Sequence, residues 1–452
     1  MSTRKNLQIT PSNVTSTGKI SYRNGQPVLQ FIIGEADMSL IGSSVRLMGH
    51  FRVRGNDTDS NSIPGDVLRP GSGKIPTNAS NIRMSEQLGM FSIIDQLVIK
   101  SQATHQVIEE IKNYNRFMGS YLPVTSSLQD SIGHLSQQAL TLPNYNAQTI
   151  GVVEIPTGNT TVGISGNAFG IHLPCGLFNG RVPIPLAANS QGGLGGLLVE
   201  VHLAPDSNVL FSQDGNLTDM DKCFYELSNV YLTAEAVVQD PSVQMPPSST
   251  FEFNSISSYF TTFNSANAII NFNLGLSRVL GVFGNMIPAK MINNIQANGL
   301  ANSYPQNAND TTAAIKQIFF LRGGEKFPIE YNIDTIQKDD GDSVVADAQV
   351  VQEYMNAIQK FSAISRTSAN TKTMALSSAA PASANVRVDG GSAFGLGVAY
   401  DVISGNGVDF RTQNFGINMD CEINTDSPQA LYLFVHSKQT LAFSQNGIQI
   451  MK

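Results

Sequence analysis

The residues with the most chemical capacity are six histidines, His50, His105, His134, His172, His202 and His436. A zinc site needs imidazoles that converge, commonly as H-x-x-x-H or H-E-x-x-H on one helix face, and neither pattern occurs. His202 and His436 each follow a valine inside an apolar run, so a core or interface role is expected for the pair. Asp339-Asp-Gly-Asp342 offers oxygen ligands to calcium but lacks the full twelve-residue loop chemistry, and a solvated acidic turn is the expectation. Gly71-Ser-Gly-Lys74 is no phosphate loop, because the earlier glycine is missing and Ile75 stands where a hydroxyl should hold the metal. Gly192-Gly-Leu-Gly-Gly196 precedes a strand instead of leading from strand to helix, so it reads as a turn and not as a dinucleotide fingerprint.

Carboxylate pairs for glycoside chemistry stay open, since sequence does not give the separation of the two acids. Sugar-acting proteins usually carry aromatic platforms, however, and this chain has no Trp. No residue is therefore assigned a catalytic, cofactor-binding or metal-binding role, and neither a cofactor nor enzymatic activity is expected. The three cysteines, Cys175, Cys223 and Cys421, are odd in number, far apart and free of C-x-x-C, which argues against a disulfide framework and for assembly in a reducing compartment.

With 452 residues the chain has length for two or three domains with their own cores. Its apolar fraction of 41% is ordinary, but only 14% of residues are charged, against roughly 25% in a typical globular protein. A surface short of charge lowers the cost of bringing like faces together; a β-rich protein with long polar loops would show the same composition. The net charge of −7 speaks against a nucleic-acid coat or polybasic membrane binder, because phosphate affinity needs clustered Lys and Arg. Arg4-Lys5 is too little for that. The N-terminus lacks an apolar h-region, and Ala268 to Ile292, though apolar, carries Arg278, Lys290 and Pro288 and is not read as a membrane span.

In chain order, residues 1–20 are expected as a polar arm and 21–239 as a first unit. A hairpin is expected from Ile20-Ser-Tyr22 across Asn24-Gly25 to Val28-Leu-Gln-Phe-Ile-Ile33. Val45, Leu47, Gly49, Phe51 and Val53 alternate with polar neighbours as a half-buried strand. Residues 55–85 are Gly-, Asn- and Pro-rich and read as a long loop. Between 119 and 195, short apolar runs such as Ile150 to Ile155 and Gly170 to Leu173 are punctuated by Pro and Gly, the spacing of antiparallel sandwiches. Phe224 to Val238 reads as a long closing strand or a pair of strands. Residues 240–250 carry three prolines, which remove donors and fix φ, and form the expected joint. The second unit is 251–452. In it, Ile270, Phe272 and Leu274 alternate as a strand, Val279, Leu280, Phe283, Met286 and Ile287 predict a short helix, and 365–392 predict a long loop.

Three echoes, each displaced by about half the chain, point to duplication. Ile93 to Ile99 matches Ala314 to Phe320 as a strand. Val107 to Met118 and Val350 to Phe361 both show a helical apolar stripe. Leu197-Leu-Val-Glu-Val-His-Leu-Ala204 running on to Phe211-Ser-Gln-Asp-Gly215 matches Leu431 to His436 running on to Phe443-Ser-Gln-Asn-Gly447, which makes the latter the last hairpin of the second unit.

The segments Phe320-Leu-Arg-Gly-Gly-Glu-Lys-Phe-Pro-Ile-Glu-Tyr-Asn-Ile-Asp-Thr335, Tyr225-Glu-Leu-Ser-Asn-Val-Tyr-Leu232, Gly196 to Ala204 and Ile20 to Gly34 together resemble the double jelly-roll major capsid proteins of polinton-like viruses and virophages. The resemblance implies an all-β fold with a few short helices, built as two consecutive antiparallel eight-stranded jelly-roll barrels. It further implies a viral structural protein of the virion, assembled in the host cytoplasm or nucleus. Its homotrimers would form pseudo-hexameric capsomers tiling an icosahedral shell around double-stranded DNA. The partners implied are neighbouring capsomers and penton, minor capsid or cement proteins, without sequence-specific nucleic-acid contact. Two other readings stand beside it: a carbohydrate-binding or glycan-cleaving double β-sandwich protein, and a minor capsid or spike protein.

Overall fold

The computed structural model describes residues 3–14, 20–22, 26–34, 37–55, 82–85, 88–125, 138–139, 167–180, 182–189, 192–212, 223–238, 250–265, 267–294, 300, 314–334, 336–338, 344–346, 348–359, 395–400, 406–422, 428–444 and 447–452. The expected turn Asn24-Gly25, the loops 365–392 and most of 55–85, Ile150 to Ile155, His134, the Pro-rich joint and Asp339 to Asp342 lie outside them.

The first half folds into β1 (Thr3–Ile9), β2 (Val28–Ile33), β3 (Met38–Gly55), β4 (Ile94–Ser101), β5 (Val107–Lys112), β6 (Asn167–His172), β7 (Leu197–Leu203) and β8 (Cys223–Val238), with helix α1 (Tyr114–Thr125) between β5 and β6. The second half repeats the series: β9 (Thr250–Phe263), β10 (Asn267–Phe272), β11 (Val279–Pro288), β12 (Ala314–Arg322), β13 (Glu325–Lys326), helix α2 (Ala348–Gln359), β14 (Leu396–Ala399), β15 (Phe415–Glu422) and β16 (Gln429–Ser444). One sheet of the first half runs β1-β8-β3-β6 and the other β2-β7-β4-β5. In the second half the orders are β9-β16-β11-β14 and β10-β15-β12-β13. Adding eight to each label converts the first pair of sheets into the second. All of these pairings are antiparallel, and each half is a jelly roll.

Alternation builds each barrel. On β3, Val45, Leu47 and Phe51 are buried while Arg46, Met48 and His50 are half-exposed, so every second side chain faces the core. Inside the second barrel Leu431, Leu433 and Val435 of β16 meet Ile270, Val282, Phe320, Phe415 and Ile417.

The register also polarises the molecule. The chain leaves β3 at Gly55 opposite Cys223 and enters β6 at Asn167 opposite Phe51, all at one end. The second barrel does likewise, with Pro288 opposite Gln429 at the start of β16. The opposite end holds both termini, with Thr3 opposite Val238 and the strand Gly447–Met451 paired to the end of β16.

Several expectations need correction. Val107–Lys112 is a strand and the helix begins only at Tyr114, because Asn113 takes φ 52° and turns the chain; the apolar spacing of Ile108 and Ile111 fits either element. Val279–Pro288 is a strand and not a helix. It is covered on both faces, so its apolar residues form a run without alternation. Ile20 bridges to Leu227 of β8 and is not the hairpin partner of β2. Residues 119–125, at the head of the stretch read as short sandwich strands, belong to α1, and Thr3–Ile9 of the N-terminal segment is an edge strand on β8. The Val-His echo joins strands of different rank, since His202 lies on β7 and His436 on β16. The true counterparts are β7 with β15 and β8 with β16.

Candidate functional site at the seam between the barrels

Helix α1 carries Tyr114, Phe117, Met118, Tyr121 and Leu122 on one stripe, all buried, the spacing of a helix with one apolar face. That face reaches the second barrel. The Phe117 ring lies 5.5 Å from Phe434 of β16 and 6.1 Å from Phe283 of β11, and those two rings lie 5.9 Å apart. Each such pair contributes about 0.5–1.5 kcal/mol beyond its buried area. Arg116 stacks its guanidinium 4.9 Å from the centre of the Tyr432 ring.

Polar groups fix the register of this contact. Asn285 of β11 donates through Nδ2 to the Arg116 carbonyl at 2.9 Å and to Ser120 Oγ at 2.6 Å, and the Tyr354 hydroxyl of α2 donates to the Ser120 carbonyl. Helix α2 can come this close because Gly395 and Gly397 lie beneath it. A Cβ on Gly395 would stand 2.1 Å from the Tyr354 ring, and one on Gly397 would stand 2.9 Å from the Ala357 Cβ.

Beside the helix, the buried carboxylate of Glu109 on β5 ties three segments together. It accepts from the Gly176 and Leu177 amides at 3.0 and 2.9 Å and from the Ile256 amide of β9 at 2.8 Å. Strand β9 is a sheet edge, so Glu109 satisfies an edge N–H that would otherwise be buried without an acceptor. Burial raises the carboxyl's pKa, while the three N–H bonds oppose that rise. Gly176 lets the two halves touch, since a Cβ there would lie 1.7 Å from the Asn254 carbonyl oxygen. His436 is buried on the same side of β16 as Phe434, and burial lowers its pKa to about 3. It is neutral near pH 7.

Among the described residues the other histidines do not converge. His202 lies half-buried on the open face of the β2-β7-β4-β5 sheet, 3.8 Å from Glu200, which Lys100 at 2.8 Å and Gln30 at 3.1 Å also hold. His50 lies on β3 with Nδ1 3.4 Å from the Asn229 amide, His105 occupies a turn at φ 56°, and His172 ends β6. Among the described residues no three His, Cys, Asp or Glu side chains gather as a metal site, and no helix is long and apolar enough to cross a membrane. Cys175 is buried beside Glu109 with its thiol pKa pushed up. The Glu109 clamp and the Gly176 contact were missed in the sequence. Glu109 and Glu110 stand side by side in the run Val107 to Lys112, and nothing local signals that the first is buried while the second is exposed.

No protein-family model matches the chain, and no curated protein matches it. Solved structures do. The chain is similar to one in the Sputnik virophage structure, with a TM-score of 0.56 and 12% identity, covering 99% of this chain and 88% of the other. It is similar to the Faustovirus major capsid protein, with a TM-score of 0.54 and 8% identity over 98% and 91% of the two chains. It is also similar to a chain of the PBCV-1 virus capsid, with a TM-score of 0.54 and 9% identity over 100% and 97%. With the strand orders above, these likenesses establish the fold: this chain is a double jelly roll.

Proposed function

We propose that this chain is the building block of a viral capsid, a major capsid protein without enzymatic activity. The observation that carries the reading is the pair of barrels with one strand order, joined by a seam in which a face and edge of the second meet a different edge and a helix of the first. A contact between unlike surfaces can be repeated by further copies and closes where the rotation allows. Two barrels per chain and three chains give six similar walls, so a threefold object fits a sixfold lattice position. The likeness to capsid proteins over nearly the whole chain supports this, as does a surface with only 14% charged residues.

In this reading the homotrimers tile an icosahedral shell around double-stranded DNA, with penton, minor capsid or cement proteins completing it. The end at which β3 stops and β6, β8 and β16 begin faces outward or clamps the trimer, and the end holding both termini forms the base. Light scattering on purified protein tests it. The expected mass is three times the 48.6 kDa of the chain, and a monomer that persists at capsid-like concentration would contradict the reading.

A further inference from the structure

The two barrels differ where β5 and its counterpart lie. Pairing to β4 and β12 matches Ile111 with Ile333, partners of Leu97 and Ile318, and Val107 with Lys326, partners of Lys100 and Leu321. In the first barrel the residues between form one strand, and Glu109 projects from it to clamp β9. In the second, Phe327 still donates its amide to the Phe320 carbonyl, but Pro328 to Asn332 then leaves the sheet as a bulge before pairing resumes at Ile333. The bulge carries Glu330, exposed, and Tyr331, 53% exposed.

The counterpart of β9 is β1, also a sheet edge. It carries Arg4 and Lys5, both exposed, with Arg4 paired to Glu235. Beside it a cavity of about 670 Å³ opens between β1, β3 and β8, lined by Asn6, Gln8, Ser43, Arg46, Thr233 and Glu235. We infer that the Pro328 to Asn332 bulge of one copy docks on the β1 edge of a second copy, with Glu330 facing Lys5 and the Tyr331 ring entering this cavity. The contact repeats between chains what Glu109 and β9 make within one, and the signs of charge on the two surfaces are complementary. It rests on the trimer reading and assigns its surfaces.

The test compares the full-length wild type with Glu330→Lys/Tyr331→Ala, with Glu330→Lys alone and with the charge exchange Glu330→Lys/Lys5→Glu, by sedimentation equilibrium and thermal melting. The first variant should melt as the wild type does, since the bulge lies outside the seam, but should need about tenfold more protein to associate. Glu330→Lys alone, which keeps Tyr331, should show part of that loss, and adding Lys5→Glu to it should recover most of what Glu330→Lys alone loses. A Glu330→Lys/Tyr331→Ala protein that associates like wild type, or an exchange that recovers nothing while both proteins melt normally, overturns the bulge contact and leaves the trimer reading standing. A variant that melts far below wild type overturns the placement of the bulge as a free surface. A wild type that stays monomeric overturns both readings.

Discussion

Strands β8 and β16 hold the same rank in their barrels, yet they meet different surroundings. From Gln429 to Ser437 every residue of β16 is buried, whereas β8 alternates buried and half-exposed positions from Val230 to Val237. The inward faces are alike in kind. On the outward face β16 presents Tyr432, Phe434 and His436 to α1 and its surroundings, while β8 presents Tyr231, Thr233 and Glu235. A duplicated sheet keeps its inward pattern because each barrel needs a core. Its outward pattern follows whatever covers it, here the chain's own helices in one barrel and a half-exposed polar surface in the other.

The largest contrast should come from the two carboxylates at matched places. Glu109→Ala strands three buried N–H donors, each costing about 1–3 kcal/mol, so urea denaturation should show a loss of roughly 3 kcal/mol or more. Glu330→Ala, on the exposed bulge, should change monomer stability by less than about 0.5 kcal/mol. Equal losses would remove the distinction between seam and free wall.

Phe434→Ala should cost about 3–5 kcal/mol, while Thr233→Ala on the outward face of β8 should stay within about 0.5 kcal/mol. Gly176→Ala should cost about 1–3 kcal/mol, because backbone must move to admit the methyl group. Gly180→Ala, whose Cβ would meet nothing closer than 3.4 Å, should be close to neutral. A harmless Gly176→Ala would place the halves farther apart than described.

The shallowest contrast at neutral pH is a pH slope, which emerges only with acid. His436 has a folded pKa of about 3 against an ordinary 6.5, so the unfolded chain binds the extra proton between those values. The stability that His436 supports is whole above about pH 6.5 and falls with acid toward about pH 3, by up to about 1.4 kcal/mol per unit. Glu109 acts in the opposite sense: its raised pKa makes the native state bind a proton first, so its ionised form lowers stability as pH rises through the folded value. Denaturation midpoints from pH 7 to 4 should fall less steeply in His436→Gln. A slope unchanged by that substitution would move His436 out of the buried seam.

Much of the fold was legible because alternation is a local property. Val45 to Phe51, Phe224 to Val238 and the second helix stripe stand where their periodicity placed them, to within a few residues. The failures have one physical root. Val279 to Pro288 mimics a helix because both of its faces are covered, and Val107 to Lys112 reads as part of the helix because two isoleucines three apart fit either element. His202 and His436 share a local pattern without sharing a rank, because a valine before a histidine on an apolar strand is short enough to recur by chance. None of the seam's clamp was legible, since the burial of Glu109 and the closeness of Gly176 to Asn254 exist only once the two halves meet.

The central claim is that a contact used once within the chain is used again between chains. Electron cryomicroscopy of assembled material tests it most directly. The predicted map shows the second barrel of one copy against the β1-β8-β3-β6 wall of the next, repeating around a threefold axis. A map in which first barrels meet first barrels across a twofold axis would contradict it.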